Sequence, residues 1–157
     1  HDRTAASKMK VDASQTASSL IDNYLAVKNA LVGDDQDTAA EAAESLETSL
    51  SSFDVDTVEN SKQKETKEIL GKMKVHAEQM TKLDITQQRR HFAEINADIK
   101  NLLAITGSDR VLYEQYCPMY NDNSGGAWLS ASEDIKNPLF GSQMLNCGTV
   151  KQTISQN

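Results

Sequence analysis

The chain has few of the residues that build disulfide frameworks, metal knuckles or tight β folds: among 157 residues there are two Cys, two Pro, seven Gly, three Phe, four Tyr and one Trp. Two cysteines exclude a disulfide-dense miniature scaffold and the paired C-x-x-C clusters of zinc ribbons. They are also too few to fix a redox compartment. A chain of this length buries enough apolar surface to fold without a staple. No apolar run approaches the ~18 residues of a membrane span, so no insertion by this segment is expected. Basic residues are outnumbered, 16 Lys and Arg against 23 Asp and Glu, for a net charge of −7. That balance excludes the basic stripe of a nucleic-acid surface and opposes docking on anionic lipid. There is no G-x-S-x-G, P-loop, H-E-x-x-H or glycine fingerprint, so no enzymatic activity is expected. A Cys/His nucleophilic pair would lack both an orienting third group and oxyanion donors. The chain starts at His1, which suggests either a processed protein or a trimmed chain, with any targeting segment gone.

What is present is mostly helical patterning. Residues 1–10 have no periodic apolar positions and are expected to be a disordered arm, with 11–157 forming one domain. Ala17, Leu20, Tyr24, Val27 and Leu31 fall at i, i+3 and i+4 spacings, an apolar stripe of period 3.6. Gly33 and the acidic cluster Asp34, Asp35 and Asp37 end that helix and begin another. Ala39, Ala42, Ala43, Leu46, Leu50 and Phe53 form the second stripe. Asp54 or Asp56 caps a third helix running to about Lys82, with Ile69, Met73, His76 and Met80 on one face. Asp84 caps the fourth, with Ile85, Phe92, Ile95, Ile99 and Leu102 inward and Gly107 at its end. The fold expected is mainly α, an up-down four-helix bundle over 11–107.

The remaining segment, 108–157, differs in composition: it holds both cysteines, both prolines and the tryptophan. Val111, Tyr113 and the Tyr116/Cys117 region suggest a short strand, and Cys147–Ile154 a second. "NDNSGG" and "NPLFG" are turns: Asn, Asp and Gly tolerate positive φ, and Pro138 fixes its own φ and extends Asn137. This segment is expected to be a C-terminal irregular cap, carrying a short β-ribbon and resting on one end of the bundle.

Its chemistry lies in sulfur. Cys117-Pro118-Met119 and Met144-x-x-Cys147 each place a thiol and a thioether close together. Soft ligands of this kind select soft ions, Cu(I) above all, with zinc or another soft metal possible through the thiolates. The spacing allows a plainer alternative, a Cys117–Cys147 disulfide closing a loop of about 30 residues and contributing roughly 3.5 kcal/mol. His76 faces the bundle interior or one end of it; it is either a hydrogen-bonded core histidine or the imidazole of a mixed nitrogen–sulfur shell. His91, beside Arg89 and Arg90, reads as a rim position on a solvated face, and Met73 and Met80 as core filler.

The tail "YEQYCPMYNDNSGGAWLSASEDIKNPLFGSQMLNCGTVKQTI" resembles domain-of-unknown-function family 3347 (DUF3347). That family's pattern runs Y-x-x-x-C-P-M-A, G-A-x-W-L-S, I-x-N-P-Y-[FY]-G and M-L-x-C-G. The matching residues are Tyr113 to Met119, Gly126 to Ser130, Ile135 to Gly141 and Met144 to Gly148. "ITQQRRHFAEINADIKNLL" is similar to the family's I-x-x-Q-R-x-x-F helix. Two positions depart from the pattern: Tyr120 replaces a small residue after C-P-M, and Leu139 an aromatic after N-P. The resemblance implies a helical bundle exported to the periplasm or cell envelope. It also implies a tail associated with copper or other soft heavy metals, and a periplasmic efflux adaptor or pump as partner. On that basis Cys117, Cys147, Met119, Met144 and His76 are the expected metal ligands, in a module that buffers the ion or hands it to an efflux system. The alternative is a disulfide-stapled structural or interaction domain that binds no metal.

Overall fold

A computed structural model describes residues 12–156; the arm expected over 1–10 lies outside them. After a single turn at Ala13–Thr16, capped by the Asp12 carboxylate, four long helices follow. They are α1 (Ser18–Val32), α2 (Gln36–Ser51), α3 (Gln63–Met80) and α4 (Ile85–Thr106). The expected stripes are the buried faces of these helices, and one apolar cluster runs through all four. Asp35 and Asp84 cap α2 and α4 by accepting from Thr38 N and Gln87 N, each at 3.0 Å, which satisfies otherwise orphaned N–H groups. The left-handed residue between α1 and α2 is Asp34 (φ 56°), not Gly33.

The start of the third helix differs from expectation. The Asp54 carboxylate accepts from Asp56 N, but it caps a 3₁₀ turn at Val55–Thr57. A second 3₁₀ turn at Asn60–Lys62 intervenes before α3 begins at Gln63. Val58, fully packed, plugs this connection.

The C-terminal third forms three strands, β1 (Leu112–Cys117), β2 (Gly126–Ser130) and β3 (Thr149–Ile154). They make an antiparallel sheet in the order β2-β1-β3, rather than a two-stranded ribbon. A bulge between Glu114 and Gln115 against β3 breaks the period-2 alternation. It turns two consecutive polar residues inward: Glu114 pairs with Lys100 at 3.1 Å, and Gln115 is fully buried.

The sheet and its loops also do not rest on one end of the bundle. They lie along the seam between α1 and α4. Arg110 reaches Asp22 and Ser18 near the start of α1. Leu129 N donates to Tyr24 Oη at 2.8 Å midway, and Ser142 N donates to Asp34 beyond the end of α1. Tyr24 is the pivot: its ring stacks on Phe92 at 5.2 Å and its hydroxyl hydrogen-bonds Asn96. Burial pushes the Tyr24 phenol far above its ordinary pKa, so it stays a neutral hydrogen-bonding hinge between sheet and helices.

Candidate functional site

Cys117 ends β1, fully buried, and Cys147 lies two residues ahead of β3. The two are joined as a disulfide with their Cα atoms 5.5 Å apart. Asn137 holds the segments that deliver them. Its backbone N–H donates to Leu145 O, and its side-chain amide to Cys147 O at 2.9 Å. Its Oδ1 accepts from Leu139 N and Phe140 N. One buried amide thus locks the "NPLFG" turn onto the "MLNCG" segment. Gly148 follows at φ 149°, a backbone conformation that L side chains rarely adopt, and an added Cβ would crowd Trp128 and Ile135, so the position favours glycine.

The expected metal ligands converge only in part. The two sulfurs meet, but as a disulfide they offer no thiolate. Met119 stands half-exposed on the surface and Met144 is half-buried in the loop before Cys147. His76 does not face sulfur: its Nδ1 lies 2.9 Å from Nδ1 of His91 across the α3–α4 interface. Among the described residues no three His, Cys, Asp or Glu side chains converge to hold a metal ion. The residues anticipated for a mixed nitrogen–sulfur shell thus lie in two places, a histidine pair on the bundle and a disulfide in the cap.

Of the two rings, His91 has a shifted titration. Burial first, and the charge of His76 second, hold the His91 imidazole below its usual range, with Glu94 opposing. A depressed folded pKa means the unfolded chain binds more protons, so stability is present above about pH 6.5 and falls as pH drops through the folded value. The urea midpoint should decline between pH 7.5 and 5 with a slope smaller than one proton. His76→Gln should flatten that decline; an unchanged slope would show that the pair is uncoupled.

Arg89 was expected on a solvated face and is instead a half-buried tie. It donates to Pro138 O at 3.0 Å, Leu31 O at 2.8 Å and Asp34 at 2.7 Å. Hydrogen bonds from Ser142, then from Arg89, keep the Asp34 carboxyl below the ordinary range. The four-residue segment after Met119 turns left-handed at Asn121, Asp122 and Asn123. The side chains of Tyr120 and Leu139 both pack over Gly126.

Lys28 is a residue the apolar pattern passes over, although it occupies the i+4 position of the Tyr24 stripe. Its side chain is buried and unpaired among the described residues.

The resemblance read in the sequence is matched by a family comparison: the model described as "Protein of unknown function (DUF3347)" matches residues 20–110. The match covers all but the first two residues of α1 and the whole of α2, α3 and α4, and stops short of the sulfur-bearing segment. Its description carries no activity, metal or partner. No curated protein and no solved structure matches the chain. The disulfide suits an oxidising, exported compartment. Among the described residues no helix is long and apolar enough to cross a membrane.

Proposed function

The chain belongs to the DUF3347 family, and we propose that it serves the cell envelope as a non-catalytic, disulfide-stapled binding and interaction module. The observation that carries this reading is the Cys117–Cys147 bond. It ties the end of β1 to the approach to β3 and fixes a loop-rich face along a rigid helical support, the usual arrangement for a binding surface. Thiol titration of protein isolated from an oxidising compartment tests it. No thiol should react without reductant, and two should react after reduction in denaturant. Two reactive thiols in the protein as isolated would remove the reading.

A second reading concerns the reduced form. With Cα atoms 5.5 Å apart, both thiolates released by reduction would begin within reach of one soft ion. Met119, two residues after Cys117, and Met144, three before Cys147, would complete the shell. In this reading the module buffers Cu(I), or zinc or another soft metal, and hands it to an efflux adaptor by ligand exchange. Mass spectrometry of the reduced protein with Cu(I) should show one bound ion, absent in Cys117→Ser/Cys147→Ser. Equal binding by the double variant would exclude it.

A further inference from the structure

Between α1 and the loop after β2 lies a cavity of about 220 Å³, lined from α1 by Leu25, Lys28 and Asn29 and from the loop by residues that include Ser130, Ser132, Asp134 and Lys136. Lys28 enters it from α1 only 5 % exposed. It has no hydrogen-bond or ion-pair partner among the described residues. The side chain is buried, but the ammonium opens on the cavity, where it meets water and no protein acceptor; a largely enclosed charge of this kind is favoured by an opposite charge beside it. The other charge that acts on Lys28 is Lys136, a second cation.

The rest of the lining is donor-rich. Ser130 Oγ accepts from Ser132 N and Ser132 Oγ accepts from Asp134 N, each at 3.1 Å. Both hydroxyl protons are therefore left to donate elsewhere. Three carbonyls of this loop, those of Ser132, Glu133 and Asp134, share the two amide protons of Gln115 Nε2 at 2.9, 3.2 and 3.3 Å. Carbonyls turned toward Gln115 and hydroxyls whose protons are free favour a ligand that accepts hydrogen bonds. Asp134 also lines the cavity; like Ser132 and Lys136 it is solvent-exposed, and its carboxylate forms no ion pair with either lysine.

From this arrangement we infer that the cavity is a binding site for a small oxyanion, a carboxylate or phosphate group, held by Lys28 and Lys136 with the Ser130 and Ser132 hydroxyls. Charge-assisted hydrogen bonds of this kind are the strong ones. Burial, and Lys136 after it, lower the Lys28 ammonium to about 8. It is still charged at neutral pH, and a bound anion would restore the partner it lacks. The volume admits a small acid or a single phosphate, not a nucleotide. The site is separate from the disulfide and stands or falls independently of the envelope reading.

The test is a titration of the full chain with inorganic phosphate and with acetate, each against chloride at matched ionic strength, following the Lys28 Cε–Hε NMR signals and the thermal midpoint. The Lys28 signals should move saturably with at least one oxyanion and not with chloride, and the midpoint should rise with them. Lys136→Ala should weaken binding roughly tenfold or more, as expected for loss of one charge-assisted contact. Lys28→Met should abolish the response. That variant also removes an unpaired buried charge, so it should fold at least as stably as the parent. Signals that follow ionic strength alone, or a phosphate response retained in Lys28→Met, would overturn the assignment.

Discussion

Cys117→Ala/Cys147→Ala is expected to unfold about 3.5 kcal/mol more easily than the parent, because the closed loop spans a sequence separation of 30 residues and its removal returns that much entropy to the unfolded chain. For a chain of this size the thermal midpoint should fall by roughly 7–14 °C. Cys117 is fully buried, so alanine there leaves a small void and adds a packing loss of about 1 kcal/mol. The two contributions separate by reductant. In urea unfolding without reductant the parent and the variant should differ by the full amount. With reductant present throughout, only the packing loss should remain. A parent whose midpoint is indifferent to reductant would show that the bond does not restrain the unfolded state, and the structural half of the staple argument would fail. Hydrogen exchange should report the same event locally: β3 and the segment around Cys147 should lose protection before α1–α4, since Asn137 and the disulfide are what hold them.

The four helices are legible in the sequence because their stability comes from stripes of the right period. Leu20, Tyr24, Val27 and Leu31, and likewise Phe92, Ile95, Ile99 and Leu102, are buried where the spacing places them. The start of α3 misleads because a carboxylate accepting from the backbone two or three residues on serves a 3₁₀ turn as well as an α-helix, and Asp54 uses it for the former. β2 escapes notice for a different reason: its burial runs inward over Trp128, Leu129 and Ser130 without alternation, so it has no period to detect. The inward phase of β1 is Leu112 and Cys117 rather than Val111 and Tyr113, and the bulge at Glu114/Gln115 hides it.

The site is legible to a similar degree. That the cysteines belong together follows from their place in one turn-rich segment. Whether they bond to each other or to an ion depends on the backbone path, which spacing leaves open. His76 and His91 lie at comparable distances on either side of the Thr81–Asp84 connection, so an antiparallel helix pair brings them face to face, a register argument that single-helix wheels omit. Lys28 carried a signal too. A charge at an inward position of an amphipathic helix either has a partner or needs one, and its surroundings come from Ser130 to Lys136, more than a hundred residues away in sequence. Only the laying of the C-terminal segment along the α1–α4 seam assembles them.

That seam depends most on Trp128, and Trp128→Ala should be the most damaging single change, at about 3–5 kcal/mol. The ring is almost wholly buried on β2, opposite Gln115 of β1. Its Nε1 donates to Gln115 Oε1 at 2.8 Å, while the same Gln115 holds the loop at 132–134 through its amide. Gly148 lies against the far edge of the ring. Alanine therefore opens a cavity next to the disulfide and leaves a buried acceptor unpaired, two losses that act together. Trp128→Phe keeps much of the apolar volume and loses the hydrogen bond, so about 1–2 kcal/mol is expected. Gln115→Leu keeps the ring and loses the loop anchor as well as the bond, and should fall between the two variants. This is the only Trp in the chain, so unfolding has to be followed by far-ultraviolet circular dichroism instead of fluorescence. If Trp128→Ala and Trp128→Phe cost the same, the indole hydrogen bond would be the whole effect and packing none of it. If Gln115→Leu is silent, the Gln115 amide is not what keeps the carbonyls of the cavity wall occupied, and the donor-rich character of the Lys28 site would have to come from the path of the loop itself.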